Sequence, residues 1–435
     1  MTASVELGDI ERVRPAVEKV AVRTPLFNSR VLTELAGGSI SGGPGPRVVL
    51  KAENLQRTGS FKIRGVQAKL AALGDAAHAG IVVASAGNHA QAAAFGAREA
   101  GISCHVFMPT DASISKAEAT KAYGATVELG GESVDACLAM AAERAGRTGE
   151  ILVHPFNDLA VIAGQGTLGL ELAEDISDLS LVVVPLGGGG LVSGIAIAVK
   201  TLCPSVRVVA VQAARCAPYL RMLEVGHLVE VQAGTTLADG IAIKRPGELT
   251  LPLLREFVDD VVEVGEDEIA DAMVLLLERA KLVVEGAGAV GVAALLTGAI
   301  EVPRHGTTAV VLSGGNVDTG LLAPAIRRHE TNAGRRLVLF ARISDRPAQL
   351  ARLLAIVGAA GANLVTVEHL REGWDLHVRE TAVHLVLETR NPEHAEAVMR
   401  AARDEGYEIQ RVGHSHLPSG IASWSPAPKT SEEPD

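Results

Sequence analysis

Short runs of β-branched and other apolar residues recur along the chain, separated by longer alanine-rich stretches of helical character. The runs are Val48–Lys51, Ile81–Ala84, Cys104–Met108, Thr126–Leu129, Leu181–Leu186, Val206–Val211 and Thr308–Leu312. Most are apolar at nearly every position. A strand with one wet face alternates apolar and polar residues, whereas a strand covered on both faces does not, so the pattern predicts buried parallel strands linked by helices. The expected class is α/β, with two doubly wound parallel sheets in a region spanning 1–330. The first four strands are expected to form a smaller lobe, about 48–153, inserted into a larger one.

The rhythm changes near Glu330, where polar and turn-forming residues predict a linker at 331–335. A strand Arg336–Ile343 follows, then a helix Arg346–Ala360 with Pro347 in its first turn and Gly361 after its end. Strands Asn363–Glu372 and Thr381–Thr389, a helix Pro392–Glu405 and a strand Tyr407–Val412 complete a βαββαβ order over 336–412. That is an α+β, ferredoxin-like layout of a four-stranded sheet backed by two helices. The segment 413–435, rich in Ser, Pro and charge, is expected to be disordered.

Composition narrows the partners. The 435 residues are 48% hydrophobic and 21% charged, enough for large cores, and the formal net charge is -11. No basic run or aromatic ladder occurs, which argues against nucleic acid and leaves a small molecule as the expected partner. Cys104, Cys137, Cys203 and Cys216 lie far apart without CxxC spacing, so neither a zinc site nor a disulfide framework is indicated, and a reducing cytoplasm fits. The first residues lack the basic and apolar segments of a signal peptide. No apolar run reaches the roughly 18 residues of a membrane span.

Four motifs carry candidate chemistry. In Glu53–Gly65 a tight polar turn places Lys62 just inside a helix, where partial positive charge favours the neutral, nucleophilic amine; a solvated surface lysine is the plainer alternative. In Leu181–Gly194 a buried strand runs into Gly187, Gly188, Gly189 and Gly190 and then a helix, a layout whose bare N–H groups and dipole suit a phosphate, or simply a tight turn. Ser193 where a dinucleotide site has glycine, and the absence of a following GKS/T, favour a monophosphate. Ser85, Ala86, Gly87, Asn88 and His89 follow another strand and open another helix, a second anion-binding end suited to a substrate carboxylate. Asn88 could equally be a helix cap, and His89 reads as a structural hydrogen-bonding residue. Ser313 lies in a strand-to-glycine turn, where it could bond a ring nitrogen or merely serve the turn.

Together these residues resemble the fold-type-II pyridoxal-phosphate enzymes, specifically the threonine ammonia-lyases (threonine dehydratases), from about Asp9 to Arg328. Arg23–Leu26, Gly59–Lys62, Ser85–His89, Gly187–Gly190, Leu237–Gly247, Glu285–Ala289 and Ser313–Asn316 carry the resemblance, and Ala238–Ala242 separates it from cysteine synthases and tryptophan synthase β chains. The resemblance implies pyridoxal 5'-phosphate with its aldehyde on Lys62, Phe61 against its ring and Asn88 on its 3'-oxygen. Gly187–Gly190 with the Leu191 amide would bind its phosphate, and Ser313 its ring nitrogen. A neutral hydroxyl there favours loss of a β-substituent over transamination. The implied reaction turns L-threonine into 2-oxobutanoate and ammonia, and secondarily L-serine into pyruvate, with Lys62 as base and the 85–89 loop holding substrate. The resemblance further implies a place as the first step of isoleucine biosynthesis, with a catabolic role left open, and a homodimer or homotetramer.

Serine racemases are similar but carry serine where this chain has Ala86, so little racemisation is expected. The acids of their cation site, just after the strand that here reads Val209–Arg215, are missing, so no divalent metal is expected there. Asp345–Leu350 with Gly361–Asn363 resembles the ACT regulatory domain, with Ala348 replacing a usual glycine, and implies an allosteric amino acid, isoleucine or valine. A serine dehydratase or racemase-like enzyme and a non-catalytic amino-acid sensor are the alternative readings.

Overall fold

The computed structural model describes residues 4–38, 45–227, 229–231, 234–371, 376–377, 379 and onward to 412. The tail read as disordered, 413–435, lies outside the described residues. The chain forms two compact units, Met1–Ala325 and Ile326–Asp435.

The first unit contains two sheets. A six-stranded sheet has the order β1-β2-β10-β7-β8-β9, with β1 Leu26–Asn28, β2 Arg47–Lys51, β7 Leu179–Pro185, β8 Arg207–Ala213, β9 Asp260–Val264 and β10 Thr307–Val311. Only β1 runs antiparallel to its neighbour. The smaller sheet is parallel in the order β5-β4-β3-β6, from β3 Ile81–Ala84, β4 Cys104–Met108, β5 Thr126–Leu129 and β6 Ile151–Leu152. The first apolar run therefore does not join the small lobe. Val48–Lys51 pairs with β10 in the large sheet, and the short β6 supplies the fourth small strand instead.

The central strands β3, β4 and β10 are buried along their whole length, as continuous apolar runs require. Helices cover both faces of the large sheet: Val183, Val209 and Val310 pack toward Gly286–Leu296, and Val182, Val184 and Val208 toward Gly190–Leu202. Parallel strands of one sheet end on the same side, which gathers the loops after β2, β7 and β10 at one edge, and the loop after β3 of the small sheet lines the same cavity. That edge holds the site.

In the second unit, β11 Arg336–Ser344, β12 Asn363–Leu370, β13 Glu380–Glu388 and β14 Glu408–Arg411 form an antiparallel sheet in the order β12-β13-β11-β14. Helices Gln349–Ala359 and Pro392–Asp404 complete the βαββαβ order. Two details depart from expectation. The helix Thr319–Asn332 runs through the first two residues read as linker, with the Thr331 hydroxyl bonding back to the Arg327 carbonyl. The first helix of this unit starts at Gln349, not Arg346, because Ala348 takes a left-handed conformation at φ +66 and breaks the turn after Pro347.

Candidate active site

Lys62 opens the helix Lys62–Leu73, directly after a turn in which Thr58 and Gly59 have φ +65 and +72. This turn is fastened to the end of β10. Phe61 N–H donates to the Ser313 carbonyl at 3.1 Å, Gly315 N–H to the Gly59 carbonyl at 2.9 Å, and Leu312 N–H to the Lys51 carbonyl at 3.0 Å. The lysine stem lies by the Phe61 ring, with Nζ 5.1 Å from its centroid, and Nζ donates to the Pro155 carbonyl at 3.0 Å. Burial pushes the Lys62 amine down to about 8, against the pull of Glu285. Desolvation is thus a cause that favours its neutral form, one the sequence did not show.

A cavity of about 390 Å³ surrounds this amine, and every residue the sequence put forward for the cofactor or substrate lines it: Phe61, Lys62, Ser85, Ala86, Gly87, Asn88, His89, the four glycines from Gly187 to Gly190, Leu191 and Ser313. Two helix N-termini reach it. The helix Gly190–Leu202 follows Gly189 and the helix Asn88–Ala100 follows Gly87, and neither has a side-chain cap. Their first N–H groups are left for a ligand. Tyr219 and Thr250 hydroxyls both donate to the Gly188 carbonyl at 2.9 Å, which turns the Gly189 N–H of the same peptide to the opposite side. A Cβ at Gly188 would lie 2.2 Å from the Phe156 ring, and one at Gly189, where φ is +90, 2.5 Å from the Tyr219 hydroxyl.

Asn88 is not a helix cap. It is the first residue of its helix, and its side-chain N–H donates to Glu285 Oε1 at 2.7 Å. His89 binds the Val153 carbonyl at 2.9 Å, and burial followed by the Lys62 charge pushes its imidazole down to about 3, a neutral structural ring. His154 is held down to about 4 for the same reasons. Neutral, its Nδ1 accepts the Asn157 N–H at 2.9 Å and winds the loop that presents the Pro155 carbonyl to Lys62.

Sequence reasoning assigned no role to Glu285, Asp239, Lys116, Pro155, Tyr219 or Thr250. Glu285 is buried in the cavity wall, and burial with the nearby Asp239 charge raises its carboxyl to about 7. Lys116, from the small lobe, bonds Asp239, from the large one, at 2.7 Å across the cavity. Glu285 and Asp239 stood in quoted motifs and were legible as acids; Pro155 and Gly188 contribute carbonyls, which leave no mark on a sequence. Among the described residues no group of three or more His, Cys, Asp or Glu could hold a metal ion. Nor is any helix there long and apolar enough to cross a membrane.

Residues 17–314 match the family described as "Pyridoxal-phosphate dependent enzyme". The chain belongs to this family. It is 43% identical over 410 residues to a Thermotoga maritima protein named L-threonine ammonia-lyase, covering 94% of this chain and 100% of that one. An Escherichia coli protein named L-threonine dehydratase catabolic TdcB is 42% identical over 316 residues, 72% of this chain and 94% of its own. Among solved structures, a threonine deaminase from T.th. matches with a TM-score of 0.66 at 40% identity, covering 72% of this chain and 99% of that one. A serine racemase from Dictyostelium discoideum matches with 0.67 at 36% identity, covering 73% and 100%.

The residues present fit the family's cofactor. Bare glycine backbone at an uncapped helix N-terminus suits a phosphate, and a desolvated amine suits an aldehyde.

Proposed function

We propose that this protein deaminates L-threonine to 2-oxobutanoate and ammonia, with L-serine to pyruvate as a secondary activity. The observation that carries the reading is a cavity in which the depressed Lys62 amine faces two uncapped helix N-termini. Names shared by relatives aligned along most of the chain support the choice of substrate.

In this reading Gly187–Gly190 and the Leu191 amide hold the cofactor phosphate, Phe61 packs on its ring, Ser313 bonds its ring nitrogen and Asn88 its 3'-oxygen. Bound there, pyridoxal phosphate draws electrons from the amino acid's Cα, so that the Cα proton becomes removable and the β-hydroxyl can leave. Lys62 Nζ, which its depressed pKa of about 8 leaves partly neutral near pH 8, takes the Cα proton. The Pro155 carbonyl orients that nitrogen, and the N–H groups opening the Asn88 helix take the substrate carboxylate. Ala86 has no proton to give on the other face, which supports elimination over racemisation.

The second unit supports an ACT-like regulatory reading. A cavity of about 560 Å³ lies where Asp345–Ala348 meets His369 and Arg371, and its mixed charges suit a zwitterionic amino acid, isoleucine or valine. The isoleucine-biosynthetic role, a homodimer or homotetramer and, from four unpaired cysteines, a cytoplasmic location complete the proposal.

Purified protein with pyridoxal phosphate and L-threonine should release 2-oxobutanoate and ammonia in equal amounts, and Lys62→Ala should abolish both. A chiral assay on L-serine should find pyruvate with little D-serine. No oxo acid from either substrate would overturn the reading.

A further inference from the structure

The amide of Asn88 has two ends of nearly equal shape, one that donates and one that accepts, and only its partners decide which faces the cavity. The decision begins at a backbone carbonyl. Asn316 Nδ2 donates to the Thr58 carbonyl at 2.7 Å, and a carbonyl can only accept, so the Asn316 amide has one allowed orientation. The same Nδ2 donates its other hydrogen to Asn88 Oδ1 at 2.7 Å. With its oxygen held there, Asn88 turns its NH2 the other way, where one hydrogen goes to Glu285 Oε1 at 2.7 Å. The second hydrogen of that NH2 takes no part in this chain of bonds. Gly59, at φ +72, makes the close approach feasible, since a Cβ there would sit 2.3 Å from Asn316 Oδ1.

We propose that Asn316 is a positioning residue: through the relay Thr58 carbonyl, Asn316, Asn88, Glu285, it fixes the Asn88 amide so that an N–H, not the C=O, meets the cofactor's 3'-oxygen. The inference rests on the proposed cofactor reading. A reversed amide would set a carbonyl lone pair against an anionic ring oxygen, weakening binding and changing the electron distribution that gives the bound cofactor its colour.

Asn316→Asp tests it, because a carboxylate cannot donate to Asn88 and the amide must reverse to donate to it. The readouts are pyridoxal-phosphate affinity by titration into cofactor-free protein and the absorbance maximum of the bound cofactor. The expected result is affinity weaker by about tenfold, the loss of one buried hydrogen bond, together with a shifted maximum like that of Asn88→Asp. Unchanged affinity and an unchanged maximum in a folded Asn316→Asp protein would overturn the proposal. If that variant fails to fold, Asn316→Ala serves, since it removes the donor without adding charge. A second absorbance band from a mixed amide orientation would then support the relay, and a wild-type spectrum would overturn it. Wild-type protein that binds no cofactor at Lys62 at all would instead sink the reading of the site itself.

Discussion

Phe61 and Ser313 are joined through their backbones, the Phe61 N–H donating to the Ser313 carbonyl at 3.1 Å, and an isolated antiparallel bridge joins their neighbours Ser60 and Gly314. The turn that delivers Lys62 is therefore held by main chain. The Ser313 side chain is left for the cavity it lines.

This separation predicts the behaviour of Ser313→Ala. Its unfolding midpoint should stay near that of wild type, because the bonds that hold the loop do not involve the hydroxyl. Cofactor affinity should fall by about threefold to tenfold, the worth of one hydrogen bond. Titration of pyridoxal phosphate beside a urea melt checks both, and a melt that collapses while affinity holds would contradict the assignment.

Lys62 should make reconstitution depend on pH in an unusual range. Its folded pKa of about 8 lies below the ordinary lysine value of 10.5, so the folded state binds fewer protons than the unfolded one between those values. The stability contributed by the neutral amine is complete above 10.5 and is lost as pH falls from 10.5 to about 8. At pH 8 about half the amine is neutral, against well under about 1% for an ordinary lysine. Capture of pyridoxal phosphate, followed by absorbance, should accelerate with a midpoint near pH 8, and the Lys62→Met protein should lose the stability gain between pH 8 and 10.5. A capture midpoint near that of an ordinary lysine would show that burial does not govern this amine.

Two residues further along the same helix, Arg64 is about 1% exposed and bonds Glu53 at 2.8 Å and Glu171 at 2.7 Å, while Lys51 reaches Glu171 at 2.6 Å. Two cations and two anions thus balance inside the protein. Removing one partner of such a set leaves a buried charge, so Arg64→Leu should cost about 3–5 kcal/mol in a urea melt. Arg64→Leu combined with Glu53→Leu leaves the Lys51–Glu171 pair balanced and should recover part of that loss. Equal losses in the single and double variants would mean the charges are not coupled.

The buried strands were legible because covering both faces of β3, β4 and β10 leaves unbroken apolar runs. Sheet membership was not. Val48–Lys51 would look the same in either lobe, and its partner, Thr307–Val311, lies far along the chain. Within the site, Lys62, Asn88, the glycine turn and Ser313 announced themselves as reactive or backbone-freeing residue types in strand-to-helix turns. Asn316 and Glu285 stood in quoted motifs, yet their service to Asn88 emerges only from three-dimensional neighbourhood. The helix start at Gln349 was missed because an alanine gives no sequence sign of a left-handed turn.

That alanine gives the last prediction. Ala348 holds φ +66 at the wall of the second unit's cavity, a conformation that costs a Cβ-bearing residue about 1–2 kcal/mol and glycine almost nothing. Glycine also loosens the unfolded chain, a penalty of about 0.4–1 kcal/mol, so the strain relief outweighs it by a modest margin. Ala348→Gly in the full chain should stabilise the second unit by about 0.5–1 kcal/mol. The measurement is a denaturant melt followed by a probe in that unit. Because the cavity wall would keep the backbone path that Ala348 already follows, the isoleucine or valine binding proposed for this cavity should be the same in the variant as in wild type. A destabilised Ala348→Gly protein would mean that the surrounding loop, and not the alanine, sets this turn.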